Sequence, residues 1–298
     1  MPRQIASENP HMAGRSAQFQ EAERLRADRR GFVTATVVRA EKPTSARPGD
    51  SALVRDDGTV VGFVGGECAR ASVQAQALAA LASGDPVLLR ITPDELPPEA
   101  SAGAVTVHNP CLSGGTLEIF LEPTLPPALV VVHGDAPIAR AVRELAAWLG
   151  CDAQPAGGDD DVPAGADAVV VASHGEDEGA VIEAALRAGA GYVALVASQR
   201  RGAAVLDGLD LAPDERARVH TPAGLDIGSH TPREVALSIL AEVVSLRPRP
   251  DPAVHLAEAV DPVCGMTVAA VESTRHVDRD GVRYWFCGPG CEQAFTPS

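Results

Sequence analysis

Between residues 128 and 246, short apolar runs alternate with amphipathic helical patterns, and this alternation constrains the fold of the 298-residue chain most. Residues 128–132, 168–172 and 192–197 are runs rich in Val and Ala, as in strands buried on both faces. Residues 137–149 and 179–188 space their apolar side chains as helices do. A last helix begins at Pro232, after a residue that can cap it. The pattern predicts a doubly wound parallel sheet over residues 128–246.

The first part of the chain follows a different pattern. Residues 16–122 predict an α+β domain in which short strands outnumber helices. The predicted strands are residues 32–39, 52–55, 59–64, 87–91, 105–108 and 117–121, and the predicted helices are 16–29 and 69–82. Residues 1–15 are predicted to be a mobile leader. The proline-rich residues 123–127 are predicted to be a linker to the parallel sheet, because prolines stiffen a chain and block sheet pairing.

A second proline-rich linker, residues 247–252, precedes a short C-terminal region with three of the six cysteines in the spacing C-x22-C-x3-C. Residues 259–298 are too few to bury a useful core and need a staple such as a metal. Sulfur ligands select zinc or another soft metal. Residues 259–298 are therefore predicted to be a small domain of the metal-binding type.

The predicted metal ligands are Cys264, Cys287 and Cys291. Three thiolates leave a fourth position, for which His276 and Asp261 are candidates, and an open position is a further alternative. A reduced, metal-free region is the remaining interpretation of the same spacing.

Two further cysteines lie on glycine-rich loops of the first domain. Cys68 follows Gly65 and Gly66 at the start of a predicted helix, where the helix dipole favours a thiolate. Cys111 precedes another glycine pair. Each is a candidate catalytic residue, and a small buried side chain is the alternative for each.

The predicted parallel sheet carries candidate ligand-binding residues where strands end. Gly134 lies in the first strand-to-helix turn, where dinucleotide folds place their glycines, while His174 and Asp226 lie in later loops of the same kind. Asp135 in that first turn would repel a pyrophosphate, and residues 154–158 read as a turn without a carboxylate to hold a ribose. A scaffold without a nicotinamide cofactor is the favoured interpretation, and NAD(P) binding is the alternative.

The charge of the chain excludes some partners. Its net charge is −15, the middle of the chain is the most acidic part, and Lys42 is the only lysine. Nucleic-acid binding is therefore not expected. No apolar run is long enough for a membrane span, and the N-terminus has no signal-peptide pattern, so a cytoplasmic protein with unpaired cysteines is expected.

Several segments resemble the XdhC/CoxI family of molybdenum-hydroxylase maturation factors. Residues 61–68 read Val-Gly-Phe-Val-Gly-Gly-Glu-Cys, and residues 220–228 read His-Thr-Pro-Ala-Gly-Leu-Asp-Ile-Gly. Further matching segments are residues 35–39, 47–49 and 111–122 in the first domain, and 169–174, 190–198 and 232–244 in the Rossmann-like second domain. The C-terminal region looks like a YHS domain, on residues 261–266 and 284–291.

The resemblance implies a cofactor-binding chaperone more than a catalyst. Such a factor binds molybdenum cofactor (molybdopterin) in a cleft between the first two domains, and aids its sulfuration or its insertion into a xanthine dehydrogenase or carbon monoxide dehydrogenase type of enzyme. Cys68 would contact the cofactor or relay sulfur, with Cys111 near the metal. The cofactor-binding residues expected are Gly65, Gly66, Cys68, Gly134, His174 and Asp226.

The same resemblance implies a molybdenum hydroxylase apoenzyme as partner, a cysteine desulfurase as a further partner, and a homodimer. Two other functions stay open at this point. One is an NAD(P)-dependent oxidoreductase that uses the Rossmann-like domain. The other is a metal-sensing or metal-delivery protein that acts through its C-terminal domain.

Overall fold

The computed structural model describes residues 10–94, 103–109, 115–156, 162–173, 175–247 and 257–296. The chain divides into two compact units. One unit combines residues 1–126 with residues 250–298, and the other is formed by residues 127–249. No helix among the described residues is both long and apolar enough to cross a bilayer.

A six-stranded sheet forms the N-terminal part of the first unit. The strands lie in the order β3-β2-β1-β6-β4-β5, and all neighbours are antiparallel except β4 and β5. The elements are α1 (Pro10–Ala27), β1 (Phe32–Glu41), β2 (Ser51–Arg55), β3 (Val60–Gly62), α2 (Glu67–Ser83), β4 (Val87–Thr92), β5 (Ala104–His108) and β6 (Thr116–Thr124). Helix α2 packs on one face of the sheet through Val73 and Ala77, which meet Val33, Ile119 and Leu121 in the core.

Two boundaries in this part differ from the sequence expectation. Helix α1 begins at Pro10 rather than Ser16, since proline is accepted at a first helical position, where its missing N–H costs nothing. Strand β6 continues through Pro123, which lies opposite Val33, so the predicted linker begins too early. Beyond Leu121 the strand pairs with β1 alone, so Pro123 lies where β6 is an edge strand, and edge strands tolerate proline.

The second unit is a five-stranded sheet in which every neighbouring pair is parallel. The strand order is β11-β10-β9-β7-β8, the doubly wound order of flavodoxin-like folds. The elements are β7 (Leu129–His133), α3 (Pro137–Trp148), β8 (Asp152–Pro155), β9 (Ala168–Val171), α4 (Glu178–Arg187), β10 (Tyr192–Leu195), α5 (Gln199–Asp207), α6 (Pro213–Ala217), β11 (Val219–His220) and α7 (Pro232–Leu246). The predicted doubly wound parallel sheet is confirmed.

Separate apolar cores lie on the two faces of this sheet. Val142 of α3 and Ile239 of α7 pack on one face, and Ile182 of α4 and Leu206 of α5 pack on the other. The prediction of a turn over residues 154–158 is wrong for residues 154 and 155, which belong to β8 and pair with β7. Strand β8 is half-buried and polar, so it lacks the apolar run by which the other strands are recognised.

The C-terminal region of the first unit consists of two hairpins and a short helix. Its elements are β12 (Glu258–Val260), β13 (Thr267–Ala269), β14 (Arg275–Arg279), β15 (Val282–Phe286) and α8 (Pro289–Phe295). Asp280 and Gly281 join β14 to β15 with positive φ angles of 53° and 76°, as a two-residue hairpin turn requires. The turn between β12 and β13 carries Cys264, whereas Cys287 and Cys291 lie between β15 and the first turn of α8.

Candidate thiol and metal centre

Cys68 lies in the first turn of α2, directly after a glycine pair. Gly65 has a φ of +133°, which a residue with a side chain rarely adopts, and Gly66 is the extended N-cap of the helix. The positive end of the helix dipole favours a thiolate at this position. Glu67 opposes that effect, but its carboxylate lies 3.6 Å from the Arg70 guanidinium, which offsets part of its charge.

Asp261 organises the turn that carries Cys264. Its Oδ1 accepts hydrogen bonds from the backbone N–H groups of Val263 (2.9 Å) and Cys264 (3.4 Å), and its Oδ2 accepts one from the N–H of Cys287 (2.8 Å). The side chain is fully buried. Burial raises the pKa of Asp261, but the hydrogen bonds from Cys287 and Val263 outweigh it, so the net pKa is below the usual range. One carboxylate therefore joins the two segments that carry the predicted metal ligands.

The three predicted metal ligands lie together. The Sγ atom of Cys287 is 3.6 Å from that of Cys264 and 3.7 Å from that of Cys291. Together with a carboxylate oxygen of Asp261, the three sulfur atoms lie within 4.8 Å of one another. Their spacing and their burial make this a site at which sulfur ligands could hold one soft metal ion.

The thiols of Cys287 and Cys291 both have a raised pKa. The hydrogen bond with Cys68 and the burial of the side chain raise the pKa of Cys287 above the usual thiol range. Burial raises the pKa of Cys291, against a smaller opposing contribution from its hydrogen bond with Cys287. A metal ion that binds here must therefore displace protons, as thiolate ligands generally require.

Cys68 belongs to the same cluster. It packs with Cys264, Cys287 and Cys291 around a small apolar core that includes Met266. Its contact with Cys287 is the largest contribution to the raised pKa of that thiol. The loop cysteine, which the sequence presents as a separate site, thus packs against the same small core as the three C-terminal cysteines.

The C-terminal region covers a second face of α2. Ala71, Ala75 and Leu78 follow Cys68 at helical spacing and contact Met266, Val268 and Ala269. Leu78 thus lies on the side of α2 that meets the C-terminal region, whereas Ala69, Val73, Ala77 and the partly buried Leu81 face the sheet. Because both faces of α2 are buried, the region fixes the position of its cysteines relative to Cys68.

His276 lies outside the group of four potential ligands found among the described residues. Its Nδ1 lies 2.8 Å from the carbonyl oxygen of Thr274, and its ring packs against Trp285 with centroids 4.9 Å apart. Of the two candidates for a fourth ligand, the structure thus brings only Asp261 to the C-terminal cysteines.

The remaining predicted site residues are distributed as follows. Cys111 and His174 lie outside the described residues. Gly134 and Asp226 follow β7 and β11, at the same edge of the parallel sheet but with β9 and β10 between those strands. Asp226 is exposed in the loop before α7. The structure therefore does not bring Gly134 and Asp226 together within the second unit.

The turn at Gly134 is closely packed. Its φ is +98°, and a side chain there would collide with the carbonyl of Ala172. Asp135, beside it, is largely exposed and pairs with Arg143 at 3.0 Å and with Arg140 at 3.9 Å. The carboxylate expected to repel a pyrophosphate thus has two cationic neighbours.

Glu242 of α7 is a polar centre that sequence reasoning missed. Its carboxylate accepts hydrogen bonds from the Tyr192 hydroxyl (2.5 Å) and the Gly224 N–H (2.9 Å), and it lies 3.1 Å from Nδ1 of His220. Burial and the bond to Glu242 raise the pKa of Tyr192. This network fixes the His-Thr-Pro-Ala-Gly segment. The sequence signal that could have identified Glu242 is an acidic residue beside the buried positions of an apolar helix.

Two domain models match the chain. The model described as "XdhC and CoxI family" matches residues 25–92, which include Cys68, and the "XdhC Rossmann domain" matches residues 130–243. These matches support the XdhC/CoxI family for this chain. The C-terminal region lies beyond both matched XdhC segments, so its likeness to a YHS domain rests on the resemblance of its sequence alone.

The chain is also similar to one curated protein and, more weakly, to one solved structure. The uncharacterized protein YqeB of Escherichia coli (strain K12) is 28% identical over 262 residues, which cover 77% of this chain and 46% of YqeB. The chain thus spans less than half the length of that curated relative. A crystal structure of a xanthine dehydrogenase from Bacillus halodurans aligns with a TM-score of 0.38 and 15% identity, over 80% of this chain and 98% of that one.

Proposed function

We propose that this protein is a maturation factor for a molybdenum hydroxylase. It binds molybdenum cofactor and aids the sulfuration of that cofactor or its insertion into a client of the xanthine dehydrogenase or carbon monoxide dehydrogenase type. It acts as a cofactor-binding chaperone, with the client apoenzyme and a cysteine desulfurase as partners and as a homodimer. Support comes from the two XdhC matches and from the position of Cys68.

Cys68 carries this proposal. It is a partly exposed thiol in the first turn of a 17-residue helix, within the segment that matches the XdhC and CoxI family. A thiol at this position is suited to contact a metal or to carry sulfur, because the helix dipole favours its thiolate.

The residues before Cys68 fit an anionic cofactor. No side chain caps the N-terminus of α2, and the space beside the Cα atom of Gly66 is open. The first-turn N–H groups of a helix can bind a phosphate such as that of molybdopterin. When bound, the cofactor supplies the molybdenum centre that is sulfurated or handed on, while Gly65 and Gly66 allow its close approach and Cys68 contacts it.

The test is co-purification of the full-length chain from a host that makes molybdenum cofactor. Molybdenum per chain is measured by elemental analysis, and the pterin is measured by fluorescence after oxidation. We expect Cys68→Ala to lose most of the bound molybdenum and pterin, and Cys111→Ala to lose part of both. Cys151→Ala is the matched control, because Cys151 lies in the other unit, and it should retain both.

Function is then tested by activation of a client apoenzyme with the loaded protein. Wild-type molybdenum content in both Cys68→Ala and Cys111→Ala would contradict the proposal. The NAD(P)-dependent oxidoreductase is tested separately by titration with nicotinamide cofactors. Saturable nicotinamide binding would favour that function instead, and no detectable binding at millimolar concentration would remove it.

A second candidate function is metal sensing or delivery through the C-terminal region. The observation that favours it is the convergence of Cys264, Cys287 and Cys291 on Asp261. If this function is the main one, a chain that ends before residue 257 should lose metal-dependent activity and keep its molybdenum. The maturation function predicts that the shortened chain still activates the client.

A further inference from the structure

We propose that Cys68, Cys264, Cys287 and Cys291 form one four-thiolate site for a soft divalent metal such as zinc, shared between α2 and the C-terminal region. This inference does not depend on the proposed maturation function. It assigns Cys68 to the metal site of the C-terminal region and makes that metal a link between two segments far apart in sequence.

The sulfur positions match the geometry of such a site. With a Zn–S bond of about 2.3 Å, the sulfur atoms of a tetrahedral four-thiolate site lie about 3.8 Å apart. The Sγ atom of Cys287 lies 3.6 Å from that of Cys264 and 3.7 Å from that of Cys291. Two edges of the tetrahedron therefore already have nearly the required length.

Cys68 supplies the fourth ligand better than Asp261 does. Both carboxylate oxygens of Asp261 accept backbone hydrogen bonds that hold the two cysteine-bearing segments together. A bond to the metal would compete with those hydrogen bonds. The Cys68 side chain packs against the same small core and interacts with Cys287. Its Sγ atom lies outside the 4.8 Å group that Asp261 completes, so Cys68 has to close on the other thiols when the metal binds. Asp261 is thus a positioning residue, and Cys68 is the fourth sulfur.

The surroundings of the thiols are mainly apolar. Ala71, Met266, Val268 and Trp285 form an apolar shell around the thiols, which limits access of water. Structural zinc sites with four sulfur ligands are closed in this way and need no water ligand. The thiol protons are released when the metal binds, so binding is balanced by the loss of one proton from each cysteine that enters as a thiol.

The contacts beside the site hold the two segments in register. Gln74, six residues after Cys68 on α2, hydrogen-bonds Ser273 and Thr274 of the C-terminal region. A side chain at Gly288 would come within 3.0 Å of the Glu67 Cβ atom, so the backbone after Cys287 lies close to the start of α2. Cys68 is therefore held near Cys287 even without a metal.

The experiment uses the full-length, reduced, chelator-treated protein, with Co²⁺ as a spectroscopic probe and Zn²⁺ as the competitor. We expect one Co²⁺ per chain, tetrahedral d–d bands and strong sulfur-to-cobalt charge transfer. Cys68→Ser should lower the charge-transfer absorbance per bound cobalt by about a quarter, as expected when one of four thiolates is lost. It should also weaken zinc binding by at least about tenfold, the order of effect seen when groups that support a metal site are removed.

Two matched variants separate the roles of the neighbours. Cys151→Ser should leave both the absorbance and the zinc affinity unchanged, because Cys151 belongs to the other unit. Asp261→Asn should weaken binding but keep the full charge-transfer absorbance per cobalt. Full charge-transfer absorbance and full zinc affinity in Cys68→Ser would overturn the proposal. If the absorbance instead fell by a quarter in Asp261→Asn and not in Cys68→Ser, the fourth ligand would be the Asp261 carboxylate.

A measurement on the unmodified protein guards against a variant that fails to fold. Iodoacetamide labelling, followed by peptide mass spectrometry, reports each cysteine with and without Zn²⁺. Protection of Cys68 together with Cys264, Cys287 and Cys291, but not of Cys151, supports the shared site. Protection of the three C-terminal cysteines while Cys68 stays reactive contradicts it.

Discussion

The side-chain amide of Gln74 on α2 donates a hydrogen bond to the hydroxyl of Ser273 at 3.0 Å, across 199 residues of sequence. The same amide nitrogen donates to the carbonyl of Gly58 at 3.0 Å, and the Thr274 hydroxyl donates to the Gln74 carbonyl oxygen at 3.3 Å. Gln74 is buried, so these bonds replace contacts with water. One side chain thereby joins α2, the turn between β2 and β3, and the C-terminal region.

Removal of that side chain should loosen the C-terminal region. Gln74→Ala leaves buried polar partners without bonds, at a cost of about 1–3 kcal/mol. We expect the free energy of local opening of β13 and β14, measured by hydrogen exchange, to fall by that amount. Gln76→Ala, on a different face of α2, is the control and should change it by less than about 0.5 kcal/mol. Equal exchange in Gln74→Ala and the wild type would show that the apolar contacts alone hold the region.

Glu242 should be important for the stability of the second unit. Glu242→Ala removes the acceptor for the Tyr192 hydroxyl and the Gly224 N–H, at a cost of about 1–3 kcal/mol in the free energy of unfolding. Tyr192→Phe removes one bond only and should cost about 0.5–1.5 kcal/mol. Urea unfolding followed by circular dichroism measures both, with the exposed Glu144→Ala as control. A smaller effect for Glu242→Ala than for Tyr192→Phe would contradict the arrangement.

The turn at Gly134 should reject any side chain. Gly150→Ala, at a φ of +77° with nothing within 4 Å, reports the backbone cost alone, about 1–2 kcal/mol. Gly134→Ala combines a similar φ with a collision against Ala172 and should destabilise the second unit clearly more than Gly150→Ala. Thermal unfolding of the two variants checks the order, and equal melting temperatures would refute the close packing.

Glu234 should make the stability of α7 depend on pH. Backbone N–H groups of His230 and Thr231 donate to its carboxylate and lower its pKa in the folded protein. A lowered folded pKa adds stability above the unfolded pKa of about 4.3, and this contribution is lost as the pH falls through the folded pKa. The difference in melting temperature between wild type and Glu234→Gln should therefore shrink as the pH is lowered from about 6 to about 3. A difference that is constant over this range would exclude the carboxylate as its source.

Much of the fold could be predicted because its elements follow simple periodicities. The parallel strands β7, β9 and β10 are apolar on both faces, and Thr231, Pro232 and Glu234 mark the start of α7. Strand β8 was not predicted because it is polar, and β11 was not predicted because two residues are too few to show a pattern. Pro123 was predicted to belong to a linker. It is compatible with a strand because β6 has only one neighbour, β1, at that position.

The members of the thiol centre could be predicted singly, but their convergence could not. Cys68 and the C-x22-C-x3-C spacing are visible as separate signals. The docking surface on α2 is made of Ala71, Ala75 and Leu78, which in sequence are indistinguishable from ordinary helix-forming residues. Gln74 gives no sign that its partners lie near residue 273, because a polar side chain at helical spacing is usually solvated.

The position of Cys68 beside the C-terminal cysteines affects how every other ligand binds that thiol. Cys287, which interacts with it, belongs to the same chain, so its competition is intramolecular and does not depend on the protein concentration. Dilution does not weaken such a competitor. An external ligand reaches the Cys68 thiol only by displacing the C-terminal cysteines. The apparent affinity of Cys68 for an external ligand is therefore set both by that ligand and by how strongly the C-terminal region binds α2.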